Sequence, residues 1–202
     1  MTAVSGHMAQ FQEAIERFRE LFEAAKASNE VTEPTAMTLA TCGASGQVSA
    51  RTVLLKGFDE RGFVFYTNTL SRKGRHLAEN PRAALTFLWS PLGRQVLIEG
   101  QASFVSDAEA DAYFASRPRL SQAGAWASRQ SEALAGKEAL EQRVADIEAQ
   151  YTGCQIPRPP HWTGYRVEPD LIEFWAAGEG RLHERDRYWL EGGQWRHSLL
   201  NP

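Results

Sequence analysis

Several groups of basic side chains in this sequence stand beside hydroxyl, amide and aromatic residues. Arg51 and Lys56 flank the largely apolar run Thr52-Val53-Leu54-Leu55, and Ser71-Arg72-Lys73 follows soon after Tyr66-Thr67. The separation of Arg51 and Lys56 is odd, so strand alternation alone sends them to opposite faces. Either the two cations serve different ligands, or a bulge brings them together, or both are strand-end charges reaching solvent. Ser71-Arg72-Lys73 opens a predicted helix, where free backbone N–H groups, a hydroxyl and two cations can clamp a phosphate. Exposed helices carry such cations routinely; the position just after a buried-type strand adds weight here. Tyr113, Arg117 and Ser121 form a second candidate anion site. Tyr113 and Arg117 are neighbours on one helical face if that helix reaches Arg117. An ordinary helix end with a solvent-facing arginine is the competing reading, and Pro118 marks the boundary.

A third group lies near the C-terminus, where Glu173-Phe174-Trp175 precedes Gly178-Glu179-Gly180-Arg181-Leu182-His183-Glu184-Arg185. If Arg181, His183 and Arg185 share a strand, alternation points all three to one face. Such crowding needs an anionic or electron-rich partner, and Trp175 would either cover an aromatic ring or fill the core. Other chemistries fit less well. There is no HExxH, no cysteine cluster and no histidine pair for a catalytic metal, so no metal is expected. No G-x-S-x-G elbow and no GxGxxG after a strand is present. Redox or group-transfer chemistry on an organic phosphate cofactor uses the basic sites most economically.

The elements that must position these groups follow from periodicity. Phe11, Ile15, Phe18 and Phe22 lie on one stripe of a helix predicted over about 9–27. Strands are expected at Ala36–Thr41, Val48–Phe58, Gly62–Thr67, Ala84–Trp89 and Arg94–Val105, with a short helix at about Arg72–Glu79. Ser106 and Glu109 have the spacing of a capping box. Helices follow at about Gln122–Ser128 and Lys137–Tyr151, the latter with Leu140, Val144, Ile147 and Tyr151 on one face. After a loop at Pro157, Pro159 and Pro160, further strands centre on Tyr165, Ile172–Trp175, Tyr188–Leu190 and Trp195–Leu199. Short links between strands favour an antiparallel sheet that closes or is covered, a small β-barrel ringed by helices.

Composition bounds the rest. The chain has 202 residues, with 22 basic and 25 acidic side chains and a formal net charge of -3. That balance argues against general attraction to a nucleic-acid backbone. Apolar runs stop far short of a membrane span of about 20 residues, and the N-terminus lacks the pattern of a secretory signal. Cys42 and Cys154 form no disulfide framework, so a reducing, cytoplasmic setting is expected. Gly6-His7-Met8 has the composition of a cloning remnant, and His7 is given no role.

The ordered blocks Arg51-Thr52-Val53-Leu54-Leu55-Lys56, Phe65-Tyr66-Thr67-Asn68, Ser71-Arg72-Lys73 and Arg94-Gln95-Val96 closely resemble the pyridoxine 5'-phosphate oxidase family. So do Tyr113 to Pro118, Ser121 to Trp126, Ser128-Arg129-Gln130-Ser131, Ile172 to Trp175 and Arg181 to Arg185. The resemblance runs from about Pro34 to the C-terminus. It implies one FMN-binding split β-barrel domain over 1–202, with a C-terminal family segment at about 162–202, working as a homodimer with interfacial sites. It carries cofactor contacts onto Arg51, Thr52, Val53, Leu54, Leu55, Lys56, Tyr66, Thr67, Arg72, Lys73, Gln95, Gln130, Ser131, Trp175 and Arg185. Lys56, Tyr113, Arg117 and Ser121 match positions for the phosphate of a B6 vitamer. Arg181 and His183 match substrate-ring and reaction-centre positions. The implied reaction oxidises pyridoxamine or pyridoxine 5'-phosphate to pyridoxal 5'-phosphate, with dioxygen as electron acceptor. The alternatives are oxidation of a phenazine precursor and non-catalytic carriage of FMN or pyridoxal phosphate. The family's basic N-terminal stretch is not found before Phe11, and the arginine of its Arg-Leu-x-Pro ending is Leu199; both imply less complete closure over substrate.

Overall fold

The computed structural model describes residues 3–202, with side chains from Ala9 onward, so those of Gly6-His7-Met8 lie outside the described residues. Helix α1 (Ala3–Ala27) begins earlier than the aromatic stripe alone implies. Its Phe11, Ile15, Phe18 and Phe22 are buried. Phe18 meets Phe58, Phe63 and Phe87 edge-on at centroid distances of 4.8, 4.9 and 5.1 Å. Edge-to-face aromatic pairs of this kind add to the burial of their area. The main core is thus the space between α1 and one face of a sheet.

The sheet has nine antiparallel strands: β1 (Ala36–Cys42), β2 (Val48–Leu54), β3 (Gly57–Asp59), β4 (Gly62–Asn68), β5 (Arg82–Trp89), β6 (Arg94–Phe104), β7 (Trp162–Ala176), β8 (Glu184–Glu191) and β9 (Gln194–Leu199). The helices are α2 (Arg72–Glu79), α3 (Asp107–Ser116), α4 (Arg119–Ala127) and α5 (Lys137–Gln150). The path through the sheet is β2-β1-β5-β6-β7-β4-β3, with β8 and β9 branching from β7. The second edge of β7 is divided: Trp162–Val167 pairs with β4, and Leu171–Ala176 pairs with β8. Pro169 falls in the gap between them, opposite a bulge at Glu99/Gly100. A proline is tolerated in a strand at such an irregularity. Gly100 is required there, because a Cβ would sit 2.0 Å from the Glu168 carbonyl oxygen.

Chain connectivity forces the curl. β2 and β3 are opposite ends of the path, yet only Leu55-Lys56 joins them. Three Cα–Cα steps of about 3.8 Å span at most about 11 Å, so the two ends must approach one another. Leu55 N–H donates to the Thr35 carbonyl at 2.8 Å, and Lys56 N–H donates to the Val64 carbonyl at 2.8 Å. The link therefore bridges the start of β1 and the middle of β4, and the sheet curls into a half-barrel.

The expected α+β fold with a split barrel is the one observed, and two strand assignments need correction. Val48–Phe58 is not one strand but β2 and β3, because the chain must turn from one sheet end to the other at Leu55-Lys56. The centres at Tyr165 and Ile172–Trp175 belong to one strand of 15 residues, whose bulge disguises its continuity. Ser106 caps α3 in a reciprocal capping box with Glu109, as its spacing implies. A second apolar cluster of Phe114, Ala123, Ile156 and Trp162 lies beneath α3, α4 and α5.

Candidate active site

The link that closes the barrel also carries Lys56 into a cavity of about 570 Å³. Arg51, Thr52, Val53 and Leu54 of β2 line it, together with Tyr66, Thr67, Arg72, Lys73, Tyr113, Arg117, Gln130 and Ser131. The odd spacing of Arg51 and Lys56 is resolved because Lys56 stands beyond the end of its strand, where alternation no longer applies. Arg51 is held by uncharged oxygens: its Nη1 donates to the Leu39 carbonyl at 3.1 Å and to Thr41 Oγ1 at 2.7 Å.

The Ser71-Arg72-Lys73 segment has the expected helix-start geometry. Ser71 is the N-cap of α2, and its hydroxyl accepts from Gly74 N–H. Gly74 lets the first turn lie against the chain leaving β4, since a Cβ there would come within 2.1 Å of the Thr69 carbonyl oxygen. Lys73 Nζ donates to Gln130 Oε1 at 2.8 Å, and Arg72 N–H donates to Ser131 Oγ at 3.1 Å. Thr67 Oγ1 donates to the same Gln130 oxygen at 3.3 Å. Gln130-Ser131 thereby ties the loop after α4 to β4 and α2. Ser131 is held at φ 76, a conformation uncommon for a non-glycine residue and a pointer to a local constraint.

Among the described residues five cations line this cavity and no carboxylate does. Burial, and secondarily the Arg51 charge, pushes Lys73 down to about 8. Burial first and Arg72 second depress Arg51, and burial depresses Arg117. Burial raises the Tyr66 phenol. The cationic groups whose charge is disfavoured in this way gain when an anion arrives.

Not every expected residue is in this cavity. Leu55 is buried in the main core and its N–H is already bonded to Thr35. Tyr113 lies on α3, but Arg117 is the extended C-cap, so the two share the cavity without sharing a helix face. Ser121 lines an adjoining cavity of about 360 Å³, which also contains Tyr66, Thr67, Arg117 and Gln130.

The third group stands apart. Gln95 is opposite Trp175, and Trp175 is opposite Arg185, across β6, β7 and β8. The His183 ring lies 4.7 Å from that of Trp175, and His183 Nδ1 accepts from Gly178 N–H. Arg185 donates to Glu173 at 2.8 Å. The condition for alternation is not met: β8 begins at Glu184, and Gly180 and Arg181 have φ of 61° and 65°. Left-handed backbone cannot continue a strand, so Arg181 and His183 lie on a turn. None of these five residues lines the main cavity.

Sequence reasoning missed Trp162, which lines both cavities from the first position of β7. A tryptophan just after a proline-rich loop reads as core in sequence. Thr41, the oxygen behind Arg51, was missed as well; its signal is only an inward position on β1.

A curled antiparallel half-barrel with a cationic cavity at its seam places the chain in the split-barrel class. The family models narrow this: the one described as pyridoxamine 5'-phosphate oxidase matches residues 23–151, and the pyridoxine 5'-phosphate oxidase C-terminal dimerisation region matches residues 162–202. The chain belongs to the pyridoxamine 5'-phosphate oxidase family. It is 57% identical over 196 residues to the pyridoxine/pyridoxamine 5'-phosphate oxidase of Alkalilimnicola ehrlichii, covering 96% of this chain and 100% of that one. The protein of the same name from Myxococcus xanthus strain DK1622 is 59% identical over 188 residues, covering 93% and 91%. Among solved structures, PhzG from Burkholderia lata 383 in complex with tetrahydrophenazine-1-carboxylic acid has a TM-score of 0.84 at 37% identity, covering 93% of this chain and 90% of that one. No helix of the described residues is long and apolar enough to cross a membrane.

Proposed function

We propose that this protein oxidises pyridoxamine or pyridoxine 5'-phosphate to pyridoxal 5'-phosphate, with FMN as cofactor and dioxygen as electron acceptor. The observation that carries the reading is the carboxylate-free cavity with five cations, found in a chain more than half identical to enzymes of that name. Two phosphorylated ligands would share it. Arg51, Arg72 and Lys73, supported by Ser131 and Gln130, suit the phosphate of FMN. Thr52 to Leu54, Tyr66 and Thr67 flank that position, and Leu55 would contribute only through its backbone. Lys56, Tyr113, Arg117 and Ser121 suit the substrate phosphate. The depressed ionisation of Lys73 and the unpartnered Nη1 of Arg117 fit anionic groups at both places. When bound, FMN supplies the two-electron redox chemistry that no side chain offers. The protein's part is to fix the distance and orientation of the reacting carbon.

Gln95, Trp175, Arg181, His183 and Arg185 would complete the site of a second copy in a homodimer. Support comes from the place of Gln95, Trp175 and Arg185 on a sheet face that no described element covers, with Arg181 and His183 on the turn beside it. That face continues through Leu88, Thr38, Thr52 and Val48, all exposed. In that arrangement Arg181 and His183 orient the substrate ring, and Trp175, Gln95 and Arg185 border the flavin. Residues 1–202 would act as one unit, since α1 packs against β8 and β9. The two free cysteines suit a cytoplasmic setting.

The test is a substrate panel on FMN-loaded protein: anaerobic flavin reduction, and aldehyde formation in air. Phosphorylated vitamers should react far better than their dephosphorylated forms; equal efficiency would reject the phosphate site. The second reading, oxidation of a phenazine precursor, rests on the likeness to PhzG alone, at lower identity than the oxidases, and preferential turnover of such a compound would establish it. Stoichiometric FMN or pyridoxal-phosphate binding with no turnover would leave a carrier.

A further inference from the structure

We propose that Trp162 is a positioning residue that holds the Arg117 guanidinium ready for a substrate phosphate, with Gln122 fixing the backbone around it. This rests on the reading of the cavity as a site for phosphate monoesters. Arg117 ends α3 in an extended conformation (φ −73, ψ 149) and precedes Pro118. Its guanidinium carbon lies 4.9 Å from the centroid of the Trp162 ring, and its Nη1 is buried without a hydrogen-bond partner among the described residues. A buried donor left unpaired is costly, and a phosphate oxygen would relieve that cost.

The choice of support matters chemically. Arg82, Arg158, Arg166 and Arg185 are each paired with a carboxylate. A carboxylate on Arg117 would occupy its N–H groups and compete with an anionic ligand. An aromatic face stabilises the cation through its quadrupole and consumes no donor. Trp162 is itself immobilised: it stacks on Tyr66 at 5.1 Å and meets Phe114 edge-on at 5.1 Å. Gln122, also buried, donates from Nε2 to the carbonyls of Phe114, Ala115 and Arg117 at 3.0, 3.2 and 3.1 Å. It thereby fixes the chain at the point where α3 gives way to α4.

The experiment compares Trp162→Phe, Trp162→Leu, Gln122→Met and Arg117→Met in FMN-loaded protein. KM and kcat are measured with pyridoxamine 5'-phosphate and with pyridoxamine, and inorganic phosphate binding is measured by calorimetry. Trp162→Leu should raise KM for the phosphorylated substrate and weaken phosphate binding by about 5- to 30-fold, with kcat and the unphosphorylated substrate little changed. Trp162→Phe should fall between wild type and leucine, and Gln122→Met should weaken phosphate binding severalfold. In an Arg117→Met background the leucine change should add little, because the two side chains act as one unit. Equal losses for both substrates, unchanged phosphate affinity, or additive effects overturn the proposal. Should Trp162→Leu fail to fold, Trp162→Phe decides by the same readouts. If Arg117→Met itself leaves phosphate binding unchanged, the phosphate reading of the cavity falls and this proposal with it. If Arg117→Met is damaging and both Trp162 variants are silent, only this proposal falls.

Discussion

FMN affinity should fall as pH rises above 8, through a single side chain, Lys73. Burial and the Arg51 charge bring this lysine down to about 8 in the free site. A phosphate monoester is already dianionic there, its second pKa being about 6. A bound dianion favours the ammonium form and moves the lysine back toward its ordinary value of about 10.4. Binding then requires a proton once the free lysine has lost its own. With a free-site value of about 8, the protonated fraction drops about thirty-fold between about pH 7 and 9.5, equivalent to about 2 kcal/mol of binding at 1.36 kcal/mol per pKa unit. The Tyr66 phenol is raised by burial, so it stays neutral across this range. Stability of the empty protein should move the other way. A lysine whose folded value is depressed binds fewer protons folded than unfolded between about 8 and 10.4, so the free protein gains stability from Lys73 as pH climbs through that window. Titrating FMN into cofactor-free protein by fluorescence or calorimetry, beside thermal melts at each pH, reads both signs. Lys73→Met should flatten both profiles and lower affinity at pH 7. A wild-type slope in Lys73→Met, or level wild-type affinity between about pH 7 and 9.5, would refute this role of Lys73.

Three further outcomes are expected. Lys56→Ala should weaken use of phosphorylated vitamers by about 1.5–3 kcal/mol, roughly ten- to a hundred-fold, while sparing unphosphorylated ones; steady-state kinetics with the paired substrates checks this. Arg181 sits at φ 65, where a Cβ costs roughly 1–2 kcal/mol and glycine is free of that penalty. Arg181→Gly should therefore melt above Arg181→Ala by an amount near 1 kcal/mol, while both lose turnover; identical melting points would deny the strain. Gly74→Ala forces its methyl against the Thr69 carbonyl, so α2 should shift at a cost of about 1–3 kcal/mol with FMN affinity falling in parallel. A Gly74→Ala protein with wild-type melting and affinity would contradict that packing.

What the sequence made legible follows from the range of each interaction. The aromatic stripe of α1, the capping box at Ser106 and Glu109, and the bounds of α2 are local patterns, and they appear where their spacing places them. The cationic motifs were legible as residue types, because Arg and Lys beside hydroxyls have few other uses in a buried setting. Their relative placement was not. Arg51 and Lys56 conflict under strand alternation until the sheet is known to close on itself at Leu55-Lys56, a fact set by pairings far apart in sequence. Trp162 carries no local signal, because its partner, Arg117, is distant in sequence and comes near only when α3 packs on the start of β7. The conditional strand at Arg181, His183 and Arg185 failed for a local reason: a glycine turn at Gly178 to Gly180 leaves the chain in left-handed backbone at Arg181.

The closure of the barrel and the assembly of the cavity are then one event. The two residues between β2 and β3 satisfy Thr35 on one sheet end and Val64 on the other. In doing so they bury Leu55 in the core and leave the Lys56 side chain at the cavity rim. Leu55 thus sets the position of Lys56, because an apolar side chain anchored in the core fixes the backbone of the next residue. The same logic applies at α2, where Gly74 docks the helix and the side chains of Arg72 and Lys73 follow. Residues with no chemistry of their own therefore govern how far apart the two proposed phosphate-binding groups stand. On that proposal, substituting them changes the distance between cofactor and substrate before it costs stability.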